Sequence, residues 1–424
     1  MRPLVRHLAL IAAACTLPRL AVLLARRGEI TAAFTEKSDD FAQTFLASGT
    51  YGFIPGQPSA WTQPLYGFFL IPLYEVFGRS WASVGLAQIV LATATAFLVY
   101  VIGRWWLAPR LALLGALLAT LNPYLVWHDV HVNREILDQL LGTAIVLTTL
   151  VLLRRRSWLL AAALGAETGL AILGNSRLAA LPLVLALFAL VVWRARVGAR
   201  ELGLAATVVA VAAVTVAPWV VRNEVVLGCA AITTDAKALW KANNEQTYEV
   251  LRSGGWIDNV EGPPGAPATP EMAFGAWVAN GELIVVDECA QMKQYQGLVL
   301  DFWREHPAEK AKLAALATTM LWNPRATQNE GSPGRGTIVE LARKTVAPAY
   351  TLPLFALALF GAWRRRGLVV ALFVTLLAYV TFTAVVFAGA TRYRAPWDFL
   401  LALLAAAALA ELAALWQERR RARG

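Results

Sequence analysis

Long apolar stretches alternate with short polar ones along most of the chain. Each apolar stretch is about as long as the α-helix of roughly 20 residues that crosses a bilayer. The pattern therefore predicts ten membrane-spanning helices. They lie at roughly 4–25, 82–103, 111–127, 136–153, 157–173, 178–194, 202–220, 347–363, 367–389 and 398–416.

The composition agrees with this pattern. Of the 424 residues, 58% are hydrophobic and 16% are charged, and the mean hydropathy is +0.53. These values are typical of a polytopic membrane protein and exclude a large soluble core. We therefore expect an all-α, multi-pass protein of a cell inner or plasma membrane. No small-residue cleavage site clearly ends the first apolar stretch, which favours a retained anchor.

The net charge of +10 follows the predicted topology. With ten spans, every arginine cluster falls on the same side as the N-terminus, and the positive-inside rule makes that side cytoplasmic. The clusters are Arg2 and Arg6; Arg104 and Arg110; Arg154, Arg155 and Arg156; Arg194, Arg196 and Arg200; Arg364, Arg365 and Arg366; and Arg419, Arg420, Arg421 and Arg423. Both termini are thus predicted to be cytoplasmic, and the basic charge does not indicate a nucleic-acid partner.

Two long segments are predicted on the external face, namely the first loop (26–81) and the polar segment (221–346). They divide the chain into an N-terminal transmembrane catalytic module (1–220), the polar segment with mixed structure, and C-terminal transmembrane helices (347–424). A span at 62–78 would reverse the charge alternation of every later loop, so this stretch predicts a juxtamembrane helix. Residues 296–322 predict two amphipathic helices on the membrane surface, hinged at His306-Pro307.

The three cysteines fall in two different settings. Cys15 lies in the first predicted span, whereas Cys229 and Cys289 both lie in the polar segment. An oxidising external compartment permits a disulfide between the latter two. Two free buried thiols are the alternative.

The first loop carries three acids just outside a membrane span: Glu36, Asp39 and Asp40. Charges at the bilayer edge are costly, and acids placed there are candidates for function. A carboxylate next to an acceptor hydroxyl acts as a general base. The alternative is a helix N-terminus with favourable first-turn charge, for which Ser38 is a candidate cap.

Arginines at the external ends of the spans run against the positive-inside bias. Their guanidinium groups donate paired hydrogen bonds to phosphate oxygens, so several of them favour an anionic lipid ligand. An interfacial arginine that reaches the headgroups is the alternative for any single one. The candidate substrate-binding residues at these ends, with their polar neighbours, are Arg177, Arg222, Asn223, Arg392, Tyr393 and Arg394.

His131 and Glu135 are four residues apart and would bind a divalent cation if this stretch is helical. Two exposed turn residues are the alternative interpretation. A divalent metal is the only cofactor that the sequence suggests.

Several short motifs, taken in their order, resemble the GT-C glycosyltransferases, a group that contains the protein O-mannosyltransferases and the lipid A aminoarabinose transferases. The clearest is Pro218-Trp219-Val220-Val221-Arg222-Asn223, which is similar to "P-W-x-x-R-N" at the end of the seventh span. The other matches, spread over nearly the full length, are Asp39-Asp40, Leu46-Ala47-Ser48-Gly49, the stretch from Gln63 to Gly78, Arg134-Glu135, Ala242-Asn243-Asn244, His306-Pro307 and Arg392-Tyr393-Arg394-Ala395-Pro396.

The resemblance implies a helical membrane bundle and a sugar donor carried on a polyprenyl phosphate. It also implies inverting transfer to a hydroxyl, with Asp39 or Asp40 as the base and Glu135 as a residue that positions the acceptor or a metal. Asn243 enters the substrate-binding set through the resemblance alone. In two places the chain departs from the family pattern. The family's acid often falls about one turn earlier, near Phe34, and its "T-R-P" is replaced here by Gly174-Asn175-Ser176-Arg177.

The sequence thus predicts a glycosyltransferase acting on the extracytoplasmic side, with a polyprenyl-phosphate sugar, a hydroxyl acceptor on a protein, lipid or glycan, and membrane lipids as partners. A transporter or flippase of lipid-linked saccharides is the alternative. Glu167, inside the fifth predicted span, favours that alternative because transporters use ionisable groups at mid-membrane.

Overall fold

The computed structural model describes residues 2–33, 35–263, 265–325 and 336–421. Phe34 and Arg423, both considered above, lie outside these residues. The helices in the described ranges are α1 (Arg2–Ala25), α2 (Lys37–Ser48), α3 (Pro64–Phe77), α4 (Trp81–Gly103), α5 (Pro109–Thr120), α6 (Pro123–His128), α7 (Glu135–Arg155), α8 (Trp158–Gly174), α9 (Leu181–Trp193), α10 (Ala199–Leu227), α11 (Ala236–Lys241), α12 (Thr247–Arg252), α13 (Pro270–Asn280), α14 (Glu288–Glu305), α15 (Pro307–Leu321), α16 (Gly336–Arg364), α17 (Leu368–Val386), α18 (Thr391–Arg394) and α19 (Asp398–Arg421).

The predicted all-α polytopic fold is confirmed. Eight helical stretches among the described residues are long and apolar enough to cross a membrane: α1, α4, α7, α10, α16, α17, α9 together with the turn before it (Ser176–Trp193), and α18 continued by α19 (Thr391–Arg421). Two other predicted spans correspond to shorter apolar helices, α5 with 12 residues and α8 with 17. The predicted juxtamembrane helix is α3, whose 14 residues extend about 21 Å at 1.5 Å per residue.

The third predicted span, 111–127, is broken into α5 and α6. The break falls at Asn122-Pro123, where proline cannot donate the hydrogen bond that would continue α5. The Asn122 side chain instead caps α6 by accepting a hydrogen bond from the Tyr124 amide at 3.0 Å.

Two long helices run through the predicted segment boundaries. The α10 helix has 29 residues and continues past residue 220 to Leu227. It ends at Gly228, whose φ of 81° is readily adopted by glycine. At about 43 Å, α10 is longer than the hydrocarbon layer of roughly 30 Å. Likewise, α16 begins at Gly336, before the predicted start of the C-terminal helices.

The described arginine clusters lie together at one end of the bundle, which we call the basic end. Contacts between side chains join these helix ends. They are Arg154 with Trp105, Arg156 with Glu201, Trp106 with Phe373, and Arg365 with Glu411. The arrangement agrees with the predicted placement of the clusters on one side of the membrane.

The first loop and the polar segment pack together at the opposite end, which we call the loop end. The Thr234 amide donates to the Ala60 carbonyl at 2.9 Å. The Glu288 carboxylate accepts from the Ala60 amide at 3.1 Å and from the Thr234 hydroxyl at 2.5 Å. Phe53 stacks on Phe274 at 5.0 Å between ring centroids.

The two short helices α5 and α8 also connect the basic end with the loop end. The α8 helix begins at Trp158, two residues after Arg156, and Asn175 at its other end donates to Asp138 at 3.0 Å. The α5 helix starts close to the basic end, since Ala112 lies against Gly103, and its last residue Thr120 accepts from Arg19. Both helices therefore run from the basic end towards the loop end.

Cys229 and Cys289 form a disulfide that ties the chain just after α10 to the first turn of α14. The α14 helix is itself capped by Asp287, which accepts from the Ala290 amide at 2.8 Å. Cys15 is free and buried in α1.

The predicted pair of amphipathic helices corresponds to α14 and α15, which meet at His306-Pro307. The buried side of α15 carries Leu313, Ala317 and Leu321. The Ala317 carbonyl packs tightly against Gly389, where an added Cβ would lie 1.7 Å from the carbonyl oxygen. The α15 helix is thus packed on the chain just before α18. Its predicted place on the membrane surface stays a prediction.

Candidate active site

Four charged side chains from distant parts of the sequence meet at the loop end. Arg392 donates to Glu135 Oε1, at 2.7 Å from Nε and 2.6 Å from Nη2. Its Nη2 also donates to Glu36 Oε1 at 3.2 Å. Glu36 Oε1 lies 3.4 Å from Nε of Arg134. We call these four residues the charged cluster.

The ends of helices place the charged cluster. Glu36 immediately precedes α2, Arg134 precedes α7, Glu135 is the first residue of α7, and Arg392 lies in α18. The partial positive charge at a helix N-terminus favours the carboxylates of Glu36 and Glu135. Asn133 contributes a cap, since its side-chain oxygen accepts from the Glu135 amide at 3.1 Å.

The charged cluster is largely shielded from solvent. The exposed fractions of its side chains are 4% for Glu135, 15% for Arg134, 18% for Glu36 and 28% for Arg392. Burial acts to lower the pKa of Arg134, but the carboxylates of Glu36 and Glu135 outweigh it and raise that pKa. The arginine therefore keeps its charge in a partly dry environment, where its interactions with anions are strong.

Two carboxylate oxygens on one face of α7 lack a hydrogen-bond partner among the described residues. They are Oε2 of Glu135 and Oδ1 of Asp138, and both are buried. The second oxygen of Asp138 accepts from Asn175 at 3.0 Å. Buried polar atoms are rarely left unpaired, so these two are available to accept hydrogen bonds from a ligand.

Arg177 extends the positive charge of the site. Its guanidinium lies 3.4 Å from the centre of the Tyr393 ring, and Nη1 donates to the Ala388 carbonyl at 3.3 Å. Arg177 lies near Arg134 and Arg392, whose positive charges repel its own. The structure therefore brings together four of the predicted site residues, Glu135, Arg177, Arg392 and Tyr393.

Asp39 is fully buried and is held by three side chains. Oδ1 accepts from the Tyr74 hydroxyl at 2.5 Å and from Arg79 Nε at 3.1 Å. Oδ2 accepts from Arg79 Nη2 at 2.6 Å and from Gln43 at 3.2 Å. These contacts connect α2 with α3 and with the chain just before α4. They favour a structural role for Asp39.

Asp40 differs from Asp39 in its burial and in its contacts. It is half-buried and has no hydrogen-bond or ion-pair partner among the described residues. Burial, with a smaller contribution from the Asp39 charge, raises its pKa to about 6. The α2 helix begins at Lys37, so Ser38 is not its cap as the alternative interpretation expected. The charges that act on the Asp40 carboxyl are those of Asp39, Arg79 and Glu271.

Arg222 and Asn223 join α10 to neighbouring loops. Arg222 donates to the carbonyls of Ser59 at 3.1 Å and Tyr51 at 3.3 Å, and to the Asn223 side chain at 2.8 Å. The Asn223 amide donates to the Ala231 carbonyl at 2.8 Å. The structure thus places both residues against backbone of the first loop and the polar segment, and apart from the charged cluster.

Arg394 is 2% exposed and ion-pairs with Asp398 at 3.0 Å. Its Nη1 donates to the Leu321 carbonyl at 2.6 Å. These contacts bind α18 to α15 and α19, so they favour a structural role for Arg394.

Asn243 is fully buried at a junction between the polar segment and α17. It accepts from Lys310 at 2.6 Å and from the Trp303 indole at 2.9 Å, and it donates to the Val386 carbonyl at 3.1 Å. Burial lowers the pKa of Lys310 to about 8. The junction supports the loop end, and it lies outside the charged cluster.

The predicted metal pair is not arranged on one helix. His131 precedes α7, its ring nitrogen Nδ1 contacts the Trp127 carbonyl at 2.8 Å, and the Glu135 carboxylate meets Arg392. Within the described part of the chain, no group of three or more His, Cys, Asp or Glu side chains is placed to hold a metal ion.

Sequence reasoning missed Arg19, Asp138 and Arg79. Arg19 stands inside an apolar span, where a charge is expensive, and this cost was the signal that could have identified it. Asp138 lies one turn after Glu135 on α7. Arg79 carries no comparable signal, because its role depends on the tertiary contact with Asp39.

Glu167, the residue that favoured a transporter, accepts a hydrogen bond from Thr148 of α7 at 2.8 Å. That contact joins α8 to α7 within the bundle, as expected for a carboxyl that pairs between helices.

Comparison with known proteins shows what parts of the chain resemble. A family model described as dolichyl-phosphate-mannose-protein mannosyltransferase matches residues 58–221, from the part of the first loop just before α3 through most of α10. No curated protein matches the chain in sequence. The resemblance predicted from the motifs is therefore supported over these residues, which make up less than half of the chain.

The fold matches two solved structures of an oligosaccharyltransferase from Archaeoglobus fulgidus. One, AglB in complex with an inhibitory peptide and a dolichol-phosphate, has a TM-score of 0.53 at 14% identity and covers 98% of this chain. The other, in the apo form, has a TM-score of 0.55 at 15% identity and covers 99% of this chain. The chain spans about half of that protein's length, since 52% of it is covered in each match.

A third structure, ArnT from Cupriavidus metallidurans bound to undecaprenyl phosphate, matches with a TM-score of 0.38 at 17% identity. This match covers 92% of this chain and 77% of the ArnT chain.

Proposed function

We propose that the protein is an integral-membrane glycosyltransferase that moves a sugar from a polyprenyl-phosphate donor to a hydroxyl acceptor. The observation that carries this proposal is the charged cluster, buried at the loop end of a bundle with the GT-C fold. The loop end faces the extracytoplasmic side, and the basic end with both termini faces the cytoplasm, following the positive-inside rule.

The arginines of the site serve the donor phosphate. Arg392 and Arg134, with Arg177 close by, provide planar donors that match phosphate oxygens and neutralise the charge that develops as the phosphate leaves. Glu36 and Glu135 hold these guanidinium groups in place. Arg222, Asn223, Arg394 and Asn243, which were predicted as ligands, support the surrounding structure. The polyprenyl tail lies in a groove between spans.

Asp40 is the general base in this proposal. The acceptor oxygen attacks C1 of the sugar, the bond between C1 and the phosphate oxygen breaks, and the polyprenyl phosphate departs. Attack opposite to the leaving group inverts the configuration at C1. Asp40 takes the acceptor's proton, for which a pKa of about 6 is well matched to neutral pH. Asp39 positions the start of α2 through Tyr74 and Arg79.

The experiment is a transfer assay with purified protein in proteoliposomes. The donors are a panel of polyprenyl-phosphate hexoses and pentoses with labelled sugars, and the acceptor is a cell-envelope extract. Asp40→Asn is expected to lower turnover by about 10²-fold or more, the usual contribution of a general base. Asp39→Asn, which loosens α2, is expected to cost less.

Asp301→Asn is the matched control, because this acid on α14 is 60% exposed and pairs with Arg304 of the same helix at 3.8 Å. It is expected to keep turnover within about 2-fold, as is usual for surface charges. Wild-type turnover in Asp40→Asn would remove the proposed base.

A further inference from the structure

A buried ion pair outside the charged cluster joins α1 to the end of α6. Arg19 donates to Asp129 Oδ2 from Nε at 2.9 Å and from Nη2 at 2.7 Å. Both side chains are 1% exposed. The remaining terminal nitrogen, Nη1, donates to the carbonyls of Thr120 at 3.0 Å and Cys15 at 3.1 Å.

Asp129 is fully engaged by its neighbours. Its second oxygen, Oδ1, accepts from Gln139 of α7 at 2.7 Å. A buried ion pair contributes little net stability compared with well-packed apolar side chains, because both charges must be desolvated. Stability alone therefore does not account for placing an arginine within a membrane helix.

The backbone that follows Asp129 is held by further side chains. Gln88 of α4 donates to the carbonyls of Asp129 at 2.8 Å and His131 at 2.6 Å. Tyr66 of α3 donates to Gln88 at 2.6 Å, and its hydroxyl accepts from the Asn133 amide at 2.8 Å. Side chains of α1, α3, α4 and α7 thus fix residues 129–133 from several directions.

This segment ends at Arg134 and Glu135, two members of the charged cluster. Residues 129–134 form no helix of their own, and their local backbone hydrogen bonds, from the Asp129 amide to Leu125 and from the His131 amide to His128, lie at the start of the segment. Their conformation depends on the side chains that hold them, and Arg19 with Asp129 forms the first of these contacts along the segment.

We propose that Arg19 and Asp129 are positioning residues for the reaction centre, which set the placement of Arg134 and Glu135 through the 129–135 segment. The inference rests on the proposed function. A displacement of about 1 Å at a reacting centre costs on the order of 10²-fold in rate, so a small shift in this segment is enough to matter.

The test separates positioning from general stabilisation by comparing single and paired substitutions. Arg19→Met and Asp129→Asn each leave one buried group without its partner, whereas the double variant is neutral and keeps an oxygen for Gln139. The single variants are expected to lose several degrees of Tm, and the double variant to return to within about 2 °C of the wild type.

Three measurements are made on each variant: Tm, kcat and KM with the polyprenyl-phosphate donor, and hydrogen exchange of the backbone amides. In the double variant, kcat is expected to stay about 30-fold or more below the wild type, with KM changed less than about 2-fold. Exchange in residues 129–135 is expected to rise while the other described helices keep their protection.

Recovery of kcat together with Tm in the double variant would overturn the proposal, as would unchanged exchange in residues 129–135. The control pair, Arg156→Met with Glu201→Gln at the basic end, removes an ion pair at 3.0 Å and is expected to alter neither kcat nor this exchange.

Arg19→Lys is the second variant, for the case in which the methionine variants do not fold. It keeps the charge but loses the paired donors, and kcat is expected to fall by about 3- to 10-fold with faster exchange in the segment. A wild-type protein that transfers no sugar would remove the proposed function, and the exchange data would then decide on the positioning role alone.

Discussion

Both ends of the bundle are rich in arginine, but the arginines differ in their exposure and in their contacts with carboxylates. At the basic end, Arg154, Arg155 and Arg364 are exposed. At the loop end, the Arg134 and Arg392 side chains are 15% and 28% exposed, and each contacts a carboxylate. The half-buried Arg156 at the basic end pairs with one carboxylate, that of Glu201, whereas the loop-end arginines share the carboxylates of Glu36 and Glu135 in one cluster.

This difference shows why the sign of a charge says little about its role. Exposed arginines beside a span are explained by topology and by anionic headgroups. Buried arginines need carboxylate partners to offset desolvation, and at the loop end Glu135 also has a buried carboxylate oxygen without a partner among the described residues. Under the proposed function the reaction takes place at the loop end, and the comparison can be tested by removing one feature at a time.

Arg392→Met is expected to have the largest effect. It removes the guanidinium that links Glu36 and Glu135, and turnover should fall by about 10²- to 10³-fold, as when a transition-state donor is lost. Arg155→Met, an exposed arginine at the basic end, is the matched control and should keep turnover within about 2-fold. Equal losses of turnover in the two variants would contradict the proposed difference between the two ends.

The disulfide gives the loop end a covalent constraint. Cys229→Ser with Cys289→Ser opens a loop with a sequence separation of 60 residues, and the free energy of unfolding should fall by about 2–4 kcal/mol. Thermal unfolding of both proteins measures the change. Cys15→Ala, which removes the free buried thiol, should have a smaller effect, and a larger one would contradict this account.

The pH dependence of kcat/KM should reveal the ionisation of Asp40 at the loop end. Asp40 must be ionised to accept a proton, so kcat/KM should rise with pH up to about 6 and then level off. Below that value, the rate should fall about tenfold per pH unit. Asp40→Asn should lose this fall of kcat/KM at low pH together with most of the activity. If the fall persists in the variant, another group is responsible for it.

The ion pair of Arg156 with Glu201 should matter least. The Arg156 side chain is 29% exposed, and such pairs contribute about 0–1 kcal/mol to stability. Chemical unfolding of Glu201→Gln should show a change in this range with unaltered turnover. A loss of activity here would mean that the basic end takes part in the reaction.

Most of the architecture could be predicted because hydrophobic length and arginine placement are local features of a sequence. The spans and the juxtamembrane helix α3 were identified this way, whereas the break between α5 and α6 depends on Asn122 and Pro123 within an apolar run. The membership of the charged cluster was partly predictable, since Glu135 and Arg392 stand at span ends.

The structural roles of Arg222, Arg394 and Asn243 could not be predicted. Their partners include backbone carbonyls far away in sequence, such as Ser59 for Arg222 and Leu321 for Arg394. No pattern in the chain marks which carbonyls a folded protein will bring to a given arginine.

Asp39 and Asp40 illustrate the same limit within two adjacent residues. Successive side chains on a helix point about 100° apart, so the start of α2 decides which carboxylate turns inward. Asp39 meets Tyr74 and Arg79, and Asp40 remains without a partner among the described residues. The sequence left the choice between them open because it did not fix that starting residue.

The most direct test of the central claim is the stoichiometry of a single reaction mixture. Proteoliposomes containing the protein, a polyprenyl-phosphate sugar labelled in both sugar and lipid, and an acceptor extract would be analysed for new glycoside and free polyprenyl phosphate. The account predicts one polyprenyl phosphate released for each glycosidic bond formed, and an equal fall of both products, by about 10²-fold or more, in Arg392→Met. Passage of the intact donor across the bilayer without any new glycosidic bond would contradict it and favour a transporter.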